Sequence, residues 1–86
     1  MMVETKLAEI QKELSRQFQN VHLKGQGLSS FLHVTNKGRG LEISEHEGNI
    51  WLEFWEKSED EDATPVRELT VVSPEQAVQE SKRWLG

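Results

Sequence analysis

Three features of this sequence predict an α+β fold in which an antiparallel β-meander of three to four strands is covered on one face by an N-terminal and a C-terminal helix. Apolar residues recur at helical spacing near each end, they alternate with polar ones in the middle, and glycine-containing turns separate the alternating runs. With 86 residues the chain has room for one domain, 1–86, and no second core. A site is therefore expected on the surface or at an interface with another chain rather than in a deep cavity.

The first element is a helix over about 3–20. Val3, Leu7, Ile10, Leu14, Phe18 and Val21 keep helical spacing and form a stripe roughly 80° wide, with Glu9, Lys12, Glu13 and Arg16 on the wet side. Glu9 with Lys12 and Glu13 with Arg16 are spaced for i,i+3 pairing. The stripe is too short to establish a coiled coil, so it is assigned to the domain's own sheet. Asn20, Gly25, Gly27, Ser29 and Ser30 stop the helix and form a loop, within which Val21-His22-Leu23-Lys24 has the composition of a brief strand. Gly25-Gln26-Gly27 is read as a turn, because no strand and helix flank it as phosphate binding requires.

The meander follows, with strands at about 30–36, 40–47 and 50–56. A turn centred on Lys37-Gly38 pairs Val34 with Leu41 and Leu32 with Ile43, and one at Gly48-Asn49 pairs Ile43 with Phe54 and Glu45 with Leu52. Both registers gather Leu32, Val34, Leu41, Ile43, Ile50, Leu52 and Phe54 on one face. Glu45 and Glu47, near the hairpin tip on that face, are expected to project past the helices into water.

Residues 56–65 hold five acidic side chains without apolar periodicity and are predicted to form an acidic mobile loop. The oxygen ligands are dense there, but the alternation and central glycine of a calcium loop are missing. A fourth strand is expected at about 66–72, with Leu69 and Val71 inward. Ser73-Pro74-Glu75-Gln76 then predicts a helix over about 74–85, with Ser73 as the cap, Pro74 in the first turn and Gln76 closing a capping box. Ala77, Val78, Ser81, Trp84 and Leu85 form its apolar side, and Lys82 and Arg83 complement the dipole in its last turn.

Two apolar stripes cover one sheet face. Phe31, His33, Glu42, Ser44, His46, Trp51, Glu53 and Trp55 are left on the other, where the turns place His33 opposite Glu42, Glu42 opposite Trp55 and His46 opposite Trp51. Three aromatics on one uncovered face suit protein binding, because tryptophan offers a large amphipathic contact area. The competing reading is that another segment folds over them to make a second small core. Imidazoles and carboxylates together also raise metal-dependent chemistry at His33, His46, Glu42 and Glu53, but no metal-ligand motif, nucleophile motif or cofactor fingerprint accompanies them.

Composition narrows the partner. Ten Lys and Arg against fifteen Asp and Glu, for a net charge of −5, argue against nucleic acid, which draws its affinity from clustered basic residues. The absence of cysteine removes disulfides and thiol chemistry and fits a cytoplasmic location, and no apolar run is long enough for a membrane span. The expectation is a non-enzymatic interaction domain without cofactor. Its binding residues are Phe31, His33, Glu42, His46, Trp51, Glu53 and Trp55, and its partner is another protein, basic in character, or a second copy in a homodimer. The alternatives are a small acidic immunity-type protein that neutralises a basic toxin with its carboxylates, and, from a different class, a metal-dependent enzyme.

Overall fold

A computed structural model of the chain describes residues 6–56 and 64–86. Helix α1 (Lys6–Leu14) leads into strand β1 (Asn20–Lys24) and a short 3-10 turn (Gly27–Ser29). Strands β2 (Phe31–Asn36), β3 (Arg39–His46), β4 (Asn49–Trp55) and β5 (Arg67–Val71) follow, and helix α2 (Pro74–Leu85) ends the described chain. All neighbouring strands are antiparallel and stand in sequence order, β1-β2-β3-β4-β5. The α+β class is as expected, with five strands in place of three to four.

The alternation read in the sequence becomes a two-sided sheet. Leu32, Val34, Leu41, Ile43, Ile50, Leu52 and Phe54 are all fully buried and meet Leu7, Ile10 and Leu14 of α1 and Ala77 and Leu85 of α2. Each large aliphatic or aromatic side chain withdrawn from water in this way contributes about 1.5–3 kcal/mol. Trp84, half-buried, packs edge-on against Phe54 with ring centres 5.5 Å apart and donates its indole N–H to the Gly40 carbonyl at 3.1 Å. Ser81 is the buried polar side chain within this layer, and its hydroxyl donates to the Ala77 carbonyl at 2.6 Å.

Helix α1 is shorter than the expected 3–20 at its C-terminal end; its expected residues 3–5 lie outside those described. After Leu14 the hydrogen bonds tighten to i→i+3, from Arg16 to Glu13 and from Gln17 to Leu14, and the chain reverses. Phe18 still reaches the core, at 6% exposure, from this turn rather than from a continuing helix. The reversal lets Asn20–Lys24 hydrogen-bond along β2, so the brief strand seen in Val21–Lys24 is a full edge strand with Val21 against Val34 and Leu23 against Leu32. The Glu13–Arg16 pair forms at 3.4 Å, with Arg16 already past the helix.

The first hairpin has the expected register, with Val34 opposite Leu41 and Leu32 opposite Ile43. The second turns one residue earlier than expected, at Glu47-Gly48, so that Ile43 lies opposite Leu52, Leu41 opposite Phe54 and Glu45 opposite Ile50. Both turns have the same form: Lys37 and Gly38 stand at φ 54° and 83°, and Glu47 and Gly48 at 51° and 85°. A two-residue turn of this hand needs positive φ at both positions, and the glycine takes the second, more strained one. Asn49 is therefore the first residue of β4, not part of the turn.

Ser73 caps α2, its hydroxyl accepting from the Gln76 amide at 3.2 Å, with Pro74 at the start of the helix. The Gln76 side chain reaches the Val72 amide and the Ser73 hydroxyl, both at 3.4 Å, instead of closing the box on the Ser73 amide. At the other end the Gly86 amide returns to the Lys82 carbonyl at 2.8 Å. Lys6 ties α1 to the sheet by donating to the carbonyls of Gly48 and Val72. Glu45 is half-buried and Glu47 exposed, so only the second of the two tip carboxylates stands free in water. Most of the expected acidic loop, residues 57–63, lies outside the described residues. Among those described, no helix is long and apolar enough to cross a membrane.

Candidate functional site

Because α1 and α2 both pack on the Leu32/Ile43/Phe54 side, the side chains that alternate with those residues share the opposite face. The registers arrange them in rows across the sheet. One row runs His22, His33, Glu42, Glu53, Glu68 from β1 to β5. A second runs Lys24, Phe31, Ser44, Trp51, Thr70, and a third runs Asn20, Thr35, Gly40, Trp55. Apart from the side-chain-less Gly40, every residue in these rows is exposed or half-buried, and Trp51 is 39% exposed.

All seven expected binding residues lie on this face, but two pairings differ. Glu42 faces Glu53 rather than Trp55, and Trp51 faces Ser44 while His46 faces Asn49. Both corrections follow from the Glu47-Gly48 turn. His46 and Trp51 still touch diagonally, with ring centres 6.1 Å apart and planes at 61°. His33 and His46 are not brought together: Glu42, opposite His33, and His46 lie four positions apart on β3, a span of about 13 Å. Among the described residues no three His, Asp or Glu side chains come together as a metal-holding group.

The charged row is not at rest electrostatically. Burial among its neighbours pushes the Glu42 carboxyl up from its ordinary value, with Lys24 pulling partly the other way. Glu53 is also pushed up, first by burial and then by repulsion from Glu42 and Glu68 on either side. His33 is shifted down by burial and by the positive charges of Lys24 and His22. Carboxylates thus stand beside carboxylates on β3–β5, and imidazole beside imidazole on β1–β2. Like charges directly opposite on paired strands oppose the pairing.

The face is shallow. A depression of about 170 Å³ lies among Ser29, Ser30, Phe31, Glu42, Ser44, His46 and Glu53, too small and open for a drug-sized ligand. A larger groove of about 510 Å³ between α1 and α2 is lined by Glu9, Lys12, Glu13, Pro74, Glu75, Val78 and Gln79, a mixed lining in which no convergent set of polar groups marks a site.

The seven expected residues omit His22, Lys24, Glu68 and Thr70. The signal for them was present in the sequence: Val21 packed on the core side of β1 implies His22 and Lys24 on the other side, although Leu23, on the same face as Val21, is itself 52% exposed, and Leu69 and Val71 imply Glu68 and Thr70. No family model matches this sequence, and neither a curated protein nor a solved structure matches it.

Proposed function

We propose that this chain is a non-enzymatic protein-interaction domain that engages a protein partner through the uncovered face of its sheet, centred on Trp51. The observation that carries this is Trp51 itself, 39% exposed in the middle of a face bearing Phe31 and Trp55, with both helices on the far side. Binding surfaces concentrate their energy in such aromatic anchors. A metal-dependent enzyme has less support, because His33 and His46 stand rows apart on this face. The adjacent carboxylates Glu42, Glu53 and Glu68 favour a partner that brings hydrogen-bond donors or positive charge, the chemistry of an immunity-type protein against a basic toxin as well as of other protein partners. A cytoplasmic setting suits a small cysteine-free domain.

Photo-crosslinking in cells tests the reading. A benzoylphenylalanine replacing Trp51 is expected to give discrete adducts, and the same group replacing the exposed Gln79 on α2 to give none. Equal labelling from both positions, or no adduct from position 51, refutes it.

A further inference from the structure

Resting on the reading of this face as a binding surface, we propose that its partner is a second copy of the same chain, packed face to face about a two-fold axis running along β3. Donors and acceptors are distributed unevenly across the sheet. The β1–β2 side presents the imidazoles of His22 and His33, and the β4–β5 side the carboxylates of Glu53 and Glu68. Within one copy each set sits beside its own kind.

A two-fold axis in the plane of the interface and parallel to the strands reverses the strand order of the second copy while keeping each row level with itself. β1 then meets β5 and β2 meets β4. His22 comes over Glu68 and His33 over Glu53, so that donors meet acceptors twice on each side of the axis. In the neighbouring row Phe31 comes over Trp51, where two aromatic side chains on a largely polar face find each other. The axis passes through β3, and Glu42 facing its own copy is the one like-charge contact in the charged row. The other in-plane axis, across the strands, sets β5 on β5 and β1 on β1, and when it runs along the charged row it places Glu68 on Glu68 and His22 on His22. The match of imidazole donors to carboxylate acceptors therefore favours the first arrangement, and face-to-face sheets accommodate it because aligned packings keep their strands within about 30° of each other.

Five strands of about six residues give a footprint on the order of 450 Å². That falls below the about 800 Å² per partner of a standard stable interface, so the dimer is reversible and concentration-dependent.

Sedimentation of the full chain up to about 1 mM is expected to show a monomer–dimer equilibrium weaker than about 1 μM. Glu68→Lys and His22→Glu, both at exposed positions that leave the core intact, are each expected to be folded monomers. Mixed in equal amounts they are expected to restore a species of twice the chain mass, because the swapped charges then face one another. A monomeric wild type at every concentration, charge variants that associate as well as wild type, or a mixture that stays monomeric overturns the proposal. If the wild type is monomeric but position 51 crosslinks to another protein, only self-association fails; if position 51 crosslinks to nothing, the binding face itself fails.

Discussion

Phe54 and Trp51 lie three residues apart on β4 and point to opposite faces, so truncating each measures what each face contributes. Phe54 is fully buried, in edge-on contact with Trp84 and beneath the Arg67 guanidinium at 5.4 Å. Phe54→Ala is expected to cost about 3–5 kcal/mol, the range for emptying a buried aromatic site. Trp51 keeps 39% of its surface in water, meets the ring of His46 and lies opposite Ser44 and Thr70. Trp51→Thr, which keeps a good strand former, is expected to cost about 1 kcal/mol or less, the worth of a cross-strand pair. A domain of this length has a total stability of roughly 4–13 kcal/mol. Urea unfolding followed by far-ultraviolet circular dichroism reads both variants without relying on tryptophan emission. With a slope of about 2 kcal/mol per molar urea, Phe54→Ala lowers the midpoint by roughly 1.5–2.5 M and Trp51→Thr by no more than about 0.5 M. Equal midpoint shifts would refute the reasoning, since Trp51 would then belong to a second core and no free aromatic face would exist.

The remaining predictions concern caps, turns and the charged row. Ser73→Ala removes the hydroxyl that accepts from the Gln76 amide and is expected to cost about 1 kcal/mol in thermal unfolding; no loss would show that the cap is not made in solution. Gly48→Ala meets no atom within 4 Å, so its cost is conformational, about 1–2 kcal/mol for a side chain at φ 85°, and Gly48→Asn should recover part of it. Glu53 binds its proton more tightly in the folded than in the unfolded chain, so stability from this group is present below the ordinary carboxylate range and is lost as pH rises through the folded value. Glu53→Gln is therefore expected to be more stable than wild type at pH 7 and to lose that advantage near pH 4; an advantage that does not vary with pH would point to packing instead. His33 has the opposite sign, its folded value being depressed, so its contribution is present above about pH 6.5 and lost on acidification. His33→Gln should flatten that acid limb, and an unchanged limb would remove His33 as its source.

The core face was legible in the sequence even though one turn was misplaced, and the reason is geometric. Moving the turn from Gly48-Asn49 to Glu47-Gly48 shifts every pairing by two residues, and two is the period of a strand. Ile43 changes partner from Phe54 to Leu52, but both lie on the same face, so the division into core and open sides survives. The fine structure of the open face did not survive, because which side chain faces which depends on the register itself: Glu42 against Glu53, the pair that stresses the face, replaced Glu42 against Trp55. The helix end was illegible for a different reason. Phe18 and Val21 continue the helical spacing of Leu7, Ile10 and Leu14, yet Phe18 enters the core from a turn and Val21 from a strand. Local periodicity cannot distinguish these, since β1 gains its hydrogen bonds only from β2, which comes later in the chain.

The strictly sequential strand order has a consequence for how the chain reaches this structure. Two-residue turns at Lys37-Gly38 and Glu47-Gly48 close β2–β3 and β3–β4 across the shortest possible loops, so those hairpins lose little chain entropy on forming and need no distant segment. Helices α1 and α2 contact each other although the whole sheet separates them in the chain. Their docking closes the largest loop in the molecule and is expected to be the late step of folding. Until it occurs both faces of the meander are wet, and what distinguishes the side destined for the interior from the side destined for a partner is already written in the pleat of the hairpins.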